Sequence, residues 1–182
     1  DDDGIPYRTY PGTHPNKGSY FTRGSSHDAN AAYTEDGDIY AEVMDRISLK
    51  FKTALKYLPK PEFSSSKKHK RGLIYLGTTV SAIQEVLDSL HKKGIYLDTM
   101  RLKAFPFHDC VKTFIDDHEL VYVIEQNRDA QLKSLLKIEC NANEAQMHSI
   151  LSYNGVLITS KQIETEILNS LHSSEANEEV SA

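Results

Sequence analysis

Between residues 72 and 172 the sequence alternates four times between a short apolar run and a stretch of helical periodicity, and few folds accommodate that pattern. "LIYLG", 73–77, is a continuous apolar run closed by glycine. A helix is predicted after it, with Val80, Ile83, Val86, Leu87 and Leu90 on one face. Lys92 and Lys93 fall in its last turn and Gly94 just beyond, as the helix dipole and a left-handed cap prefer. "MRLKAF", 100–105, reads as a second strand, halted by Pro106. The next helix buries Cys110, Val111, Phe114 and Ile115. "LVYVI", 120–124, is a third strand, and Asp129 is placed to cap the helix carrying Leu132, Leu135 and Leu136. "HSILS", 148–152, is the fourth. A last helix starts at Thr159, with Gln162 at capping-box spacing and Ile163, Ile167, Leu168 and Leu171 facing inward. Such alternation predicts an α/β domain over 72–172, a largely parallel sheet with right-handed crossovers. Uninterrupted apolar strands call for helices on both of its faces.

The flanks read differently. Residues 1–37 are rich in Gly, Pro, Ser, Thr, Asp and Tyr without a sustained period, and are expected to be irregular. Residues 38–57 predict a helix through Ile39, Val43, Ile47, Phe51, Ala54 and Leu55. "PKPEFSSSKKHKR", 59–71, reads as a linker, and residues 173–182 as a polar, acidic, disordered tail. The opening "DDDGIPYR" resembles a processed or excised start more than a natural one.

Composition removes several classes of function. A net charge of −5 argues against a general nucleic-acid binder, and the "KKHKR" cluster reads as a solvated linker. No run nears the roughly 18 apolar residues a membrane helix needs. No secretory signal is visible. The two cysteines, Cys110 and Cys140, can form neither a disulfide framework nor a zinc or iron–sulfur site. A reducing, cytoplasmic location is the expectation. The eight histidines form no ligand spacing, so no metal site is predicted.

Ligands of open α/β sheets bind beyond the carboxyl ends of the strands. Four clusters lie there: Gly77-Thr78-Thr79, Phe107-His108-Asp109, Glu125-Gln126-Asn127-Arg128 and Tyr153-Asn154. Thr78 and Thr79 open a helix that could hold an anion, or they cap it. The stretch has neither GxGxxG nor GxxxxGK[ST]. His108 and Asp109 are an acid–base pair or a helix cap. Glu125 and Arg128 are an ion pair over the sheet edge, a partner contact, or turn chemistry. No nucleophile elbow occurs and neither cysteine has a base beside it, so no catalytic residue is assigned.

Two stretches carry a family likeness. "DGIPYRTYPGTHPNKGSYFTRGSSHDANAAYTED", 3–36, and "FPFHD…VYVIEQNRDAQLKSLL", 105–136, together resemble the α subunit of 2-oxoacid:ferredoxin oxidoreductases, above all the 2-oxoglutarate type. The resemblance implies oxidative decarboxylation of a 2-oxoacid to an acyl-coenzyme A, with electrons passed to ferredoxin. It implies thiamine diphosphate and Mg2+ between the α subunit and a β subunit, and iron–sulfur clusters on partner chains only. Residues 1–58 would then be the end of the pyrimidine-facing domain, and 72–172 a domain like the C-terminal domain of transketolase. Stretches like "YPITP" and "QRGGPSTG" are missing, so the segment alone is expected to be inactive. "EQNRDAQL" matches the family's E-x-N-x-x-x-Q-L, which makes Glu125, Asn127 and Gln131 a packing or subunit-contact scaffold. Gly24, His27 and Asp28 match Gly-x-x-His-Asp, while "ANAAYTED" departs from the usual acidic-glycine continuation. On this likeness Thr13, His14, Arg23, His27 and Asp28 approach a substrate or coenzyme A channel, with an ordered surface loop as the alternative.

Overall fold

The structure is a computed structural model that describes residues 1–7, 9–18, 26–64 and 69–180, with side chains to 173. The chain divides into two units, Asp1–Leu58 and Pro59–Ala182.

In the second unit a five-stranded sheet runs β1 (Glu62–Ser64), β3 (Asp98–Leu102), β2 (Arg71–Leu76), β4 (Leu120–Glu125), β5 (Met147–Leu151). The four strands expected from the sequence are all present and pair in parallel, Leu73 opposite Thr99 and Tyr122, and Ile124 opposite Ile150. The fold is therefore the α/β class the alternation dictates. Strand β1 was not foreseen. It lies in the stretch read as a linker and pairs antiparallel with β3, Phe63 opposite Met100. Lys103, just past the end of β3, and Arg101 within it both reach the Glu62 carboxylate, at 2.7 and 3.2 Å, and hold its carboxyl below the ordinary range.

The strands' side chains alternate between two cores, as a pleat requires. Leu73, Tyr75, Tyr122, Ile124 and Ile150 pack against α2 (Val80–Lys92) and α5 (Ser160–Val180) through Ile83, Val86, Leu90, Ile163 and Ile167. Ile74, Met100, Val121, Val123 and Met147 pack against α3 (Asp109–Asp116) and α4 (Gln131–Glu139) through Val111, Phe114, Ile115 and Leu136. Each such fully buried apolar side chain contributes about 1.5–3 kcal/mol. Helices α2 and α5 are also tied by Glu164, which accepts from Ser89 Oγ at 2.6 Å and pairs with Lys93 Nζ at 2.9 Å.

The helix ends follow local chemistry in most places. Gly94 adopts φ +74°, and Ile95 N–H returns to the Leu90 carbonyl at 3.0 Å, the left-handed stop foreseen for α2. Thr159 Oγ1 accepts from Gln162 N–H at 3.2 Å and caps α5. Helix α5 runs on to Val180, so the tail expected to be disordered is helical that far. Helix α4 departs from expectation: Asp129 does not cap it, and Ala130 precedes it in the left-handed region at φ +49°.

In the first unit, α1 (Gly37–Ala54) starts at Asp36, whose Oδ1 accepts from Asp38 and Ile39 N–H at 2.9 and 3.2 Å. Arg46 Nη1 and Thr53 Oγ1 donate to the Gly4 and Asp3 carbonyls at 3.2 and 2.6 Å. The described part of 1–36 is made of hydrogen-bonded turns and one bridge, His27 to Tyr33. Among the described residues no helix is long and apolar enough to cross a membrane.

Candidate functional site

Strand order makes the connection from β2 turn toward β3, and the connection from β3 turn back to β4. The gap between the carboxyl ends of β2 and β4 is therefore the topological switch point, where open α/β sheets hold ligands. Gly77, at φ +60°, turns the chain out of β2 there. Thr78 and Thr79 follow. Neither caps α2; both hydroxyls instead accept from Gln126 Nε2, at 3.0 and 3.3 Å, across the gap from β4. Beside this bridge lies an open cleft of about 460 Å³, bounded by Ser81, Glu85, Leu157 and Ser160 along with Thr78 and Gln126. Its walls are hydroxyls, an amide and apolar carbon, with Glu85 as the one carboxylate.

The end of β4 is built around Glu125, which is 1% exposed. Its Oε2 accepts from Leu132 N–H at 2.6 Å and Asn127 Nδ2 at 2.7 Å, and its Oε1 from Lys133 N–H at 3.0 Å. The carboxylate thus supplies what an N-cap side chain would, satisfying two first-turn amides of α4 and meeting the positive end of its dipole. Asn127 completes the turn, its Oδ1 accepting from Asp129 and Gln131 N–H at 3.0 and 3.2 Å. Gln131 opens α4 and is exposed. Arg128 does not reach Glu125; it pairs with Asp129 at 2.7 Å on the surface. Glu125 and Asn127 thus hold their own turn and the start of α4.

His108 precedes α3 without a side-chain cap, and Asp109 is exposed in its first turn. No hydrogen bond joins these two side chains among the described residues. Tyr153 is exposed, and Asn154 Oδ1 accepts from Val156 N–H at 3.2 Å. Burial pushes both the Cys110 and Cys140 thiols up, which makes them poor nucleophiles at neutral pH. Motif reasoning missed one buried pair. His118 Nε2 lies 3.1 Å from Asp98 Oδ2 near the amino-terminal ends of β4 and β3, with His69 N–H on the same oxygen at 3.0 Å. Only their burial marks them out, and a sequence does not display that.

The other candidates belong to the first unit. Thr13 Oγ1 donates to the Tyr10 carbonyl at 2.7 Å, and His14 Nδ1 accepts from Asn16 and Lys17 N–H, both at 3.1 Å. His27 Nδ1 lies 2.9 Å from the Asp28 carbonyl oxygen. Asp28 Oδ1 accepts from Asn30 and Ala32 N–H at 2.8 and 2.9 Å. Each of these groups folds its own turn. Arg23 and Gly24 lie outside the described residues.

This fold is shared with solved structures, of which 32 chains match. One is 2-oxoglutarate:ferredoxin oxidoreductase from Magnetococcus marinus, with 2-oxoglutarate, coenzyme A and succinyl-CoA bound. It superposes with a TM-score of 0.78 at 20% sequence identity, over 93% of this chain and 29% of that one. The chain thus spans less than a third of its length. The alpha chain of a probable 2-oxoacid ferredoxin oxidoreductase from Thermoplasma acidophilum is 26% identical over 62% of this chain and 97% of its own, at a TM-score of 0.42. No protein-family model and no curated protein matches the sequence. The family that the two sequence stretches resemble is the one from which these structures come.

Proposed function

We propose that this chain is the C-terminal portion of the α subunit of a 2-oxoacid:ferredoxin oxidoreductase, of the 2-oxoglutarate type. The observation that carries the reading is the superposition over 93% of the chain on a 2-oxoglutarate enzyme. The likeness of residues 3–36 and 105–136 to the same family supports it independently. In this reading the assembled enzyme joins α and β subunits, converts a 2-oxoacid and coenzyme A to an acyl-coenzyme A, and hands electrons to ferredoxin. Thiamine diphosphate, when bound, would supply the carbanion chemistry of decarboxylation. Among the described residues no group of three His, Cys, Asp or Glu side chains could hold a metal ion. This chain's part is scaffolding. The Glu125–Asn127–α4 network would fix the strand-end edge that a neighbouring domain or subunit meets, and on the family likeness Thr13, His14, His27 and Asp28 would approach the substrate or coenzyme A channel. The test is to co-express the full α chain with a β partner and assay 2-oxoglutarate- and coenzyme A-dependent reduction of a viologen dye. A correctly assembled, cofactor-loaded complex without turnover would refute the reading.

The cleft beside Thr78 and Ser160 favours a second reading, an α/β module that binds an anion or protein partner at its strand ends with no redox role. Calorimetry with acyl-coenzyme A, nucleotides and phosphate tests it: saturable heat that is lost in Thr78→Ala supports this module.

A further inference from the structure

The connection from β5 to α5 holds the one place in the sequence where glycine follows asparagine, Asn154-Gly155. Residues 153–157 are all exposed within their unit, and no backbone–backbone hydrogen bond closes this turn among the described residues. One side-chain bond holds it: Asn154 Oδ1 accepts from Val156 N–H at 3.2 Å. Gly155 takes φ +83°, and a Cβ added there would meet nothing within 4 Å.

The Asn154 amide carbon and the Gly155 backbone nitrogen end the path Cγ–Cβ–Cα–C–N, so a bond between them closes a five-membered ring. Two features of the turn favour that bond. Glycine leaves its nitrogen unshielded, where any other residue sets a Cβ beside it, and it gives the backbone the freedom that ring closure demands. The Val156 N–H already points at Oδ1, the oxygen on which charge gathers when the amide carbon is attacked. The same chain supplies a contrast. Asn127 Oδ1 accepts from Asp129 N–H at 3.0 Å, and Asn143 Oδ1 from Ala145 N–H at 3.1 Å, the same bond two residues ahead. Arg128 and Glu144 follow those asparagines, so a side chain crowds the nitrogen that must attack. Asn127 is restrained further by its Nδ2 bond to Glu125 at 2.7 Å.

We propose that Asn154 is a site of spontaneous deamidation. The Gly155 nitrogen gives up its proton and attacks Cγ. The N–Cγ bond forms, the bond from Cγ to the side-chain nitrogen breaks, and that nitrogen leaves as ammonia. Water then opens the succinimide. Opening at Cγ leaves aspartate; opening at the backbone carbonyl leaves isoaspartate, with the chain rerouted through the side chain. One water is consumed, one ammonia is released, and nothing is oxidised or reduced. Every ring atom comes from these two residues, so the step draws on no other unit, subunit or cofactor and stands apart from the oxidoreductase reading. The product places a new carboxylate three residues before Leu157, which bounds the cleft beside Gln126.

The test is to incubate the folded, full-length protein in mildly alkaline buffer made with isotope-labelled water, and to follow its peptides by mass spectrometry. The Asn154 peptide takes up a labelled oxygen, gains the mass difference between an acid and an amide, and separates into aspartate and isoaspartate forms. The Asn127 and Asn143 peptides stay intact. Gly155→Ala, with open space for its methyl group, keeps its circular dichroism and loses most of the conversion. Three results overturn the proposal: an Asn154 peptide that converts only after unfolding in urea or not at all, conversion at Asn143 to the same extent, or a Gly155→Ala protein that converts as fast as the parent.

Discussion

Replacing Glu125 by alanine removes one carboxylate and three hydrogen bonds at once: those from Leu132 N–H, Lys133 N–H and Asn127 Nδ2. A hydrogen bond to a charged group nets about 1.5–3 kcal/mol, and a donor left buried without an acceptor costs about 1–3 kcal/mol. Leu132 and Lys133 are only half-buried, so water recovers part of the loss. The expected destabilisation is about 3–4 kcal/mol, at the upper end for a point substitution. With a urea slope of about 2 kcal/mol/M, the unfolding midpoint falls by about 1.5–2 M, read by circular dichroism. Glu125→Gln keeps the volume but aims an amide donor at donors, and costs about 2 kcal/mol. Asp129→Ala, at the position that sequence pattern alone would make the cap, shifts stability by less than about 0.5 kcal/mol. A Glu125→Ala cost under about 1 kcal/mol, or a larger cost for Asp129→Ala, would refute the reasoning.

Three further outcomes are expected. Gly72→Ala places a Cβ 2.7 Å from Phe114 Cε1 and 3.2 Å from His118 Cγ, and lowers stability by about 1–3 kcal/mol in urea titration. Thr159→Ala removes the α5 cap for about 1 kcal/mol, while Thr159→Ser leaves the melting temperature nearly unchanged. The Ser89 hydroxyl, then the Lys93 ammonium, hold the Glu164 carboxyl below its ordinary value of 4.5. A depressed folded-state value gives stability that is complete above the ordinary value and is lost as pH falls below it. Unfolding midpoints of the parent should therefore drop more steeply than those of Glu164→Gln in that acid range, and parallel curves would count against the tie.

The residues that were legible are those whose structure is decided by near neighbours. Apolar spacing marked α2 from Val80 to Leu90 because one buried stripe demands that period. Gly94 and Thr159 announced helix ends because their chemistry acts within a few residues. Strand β1 was not legible: Glu62, Phe63 and Ser64 are all exposed, and only pairing with β3 makes them a strand. The α4 cap was misassigned for the same reason, since it comes from a strand residue seven and eight positions before the amides it serves. At the candidate site, topology put the four clusters at or beyond the carboxyl ends of β2 to β5, where the strands do end. The roles of the clusters depended on which side chains meet across the gap, as Gln126 does with Thr78 and Thr79, and periodicity carries no such information.

The reach of Glu125 to Leu132 and Lys133 has a consequence for how this chain can change. Insertions are usually tolerated in surface loops, because closing a slightly longer loop costs little entropy. The turn from Gln126 to Ala130 is an exception. Adding or removing even one residue there would pull the carboxylate out of register with its amides, so this connection is a length gauge that drift or engineering must leave intact.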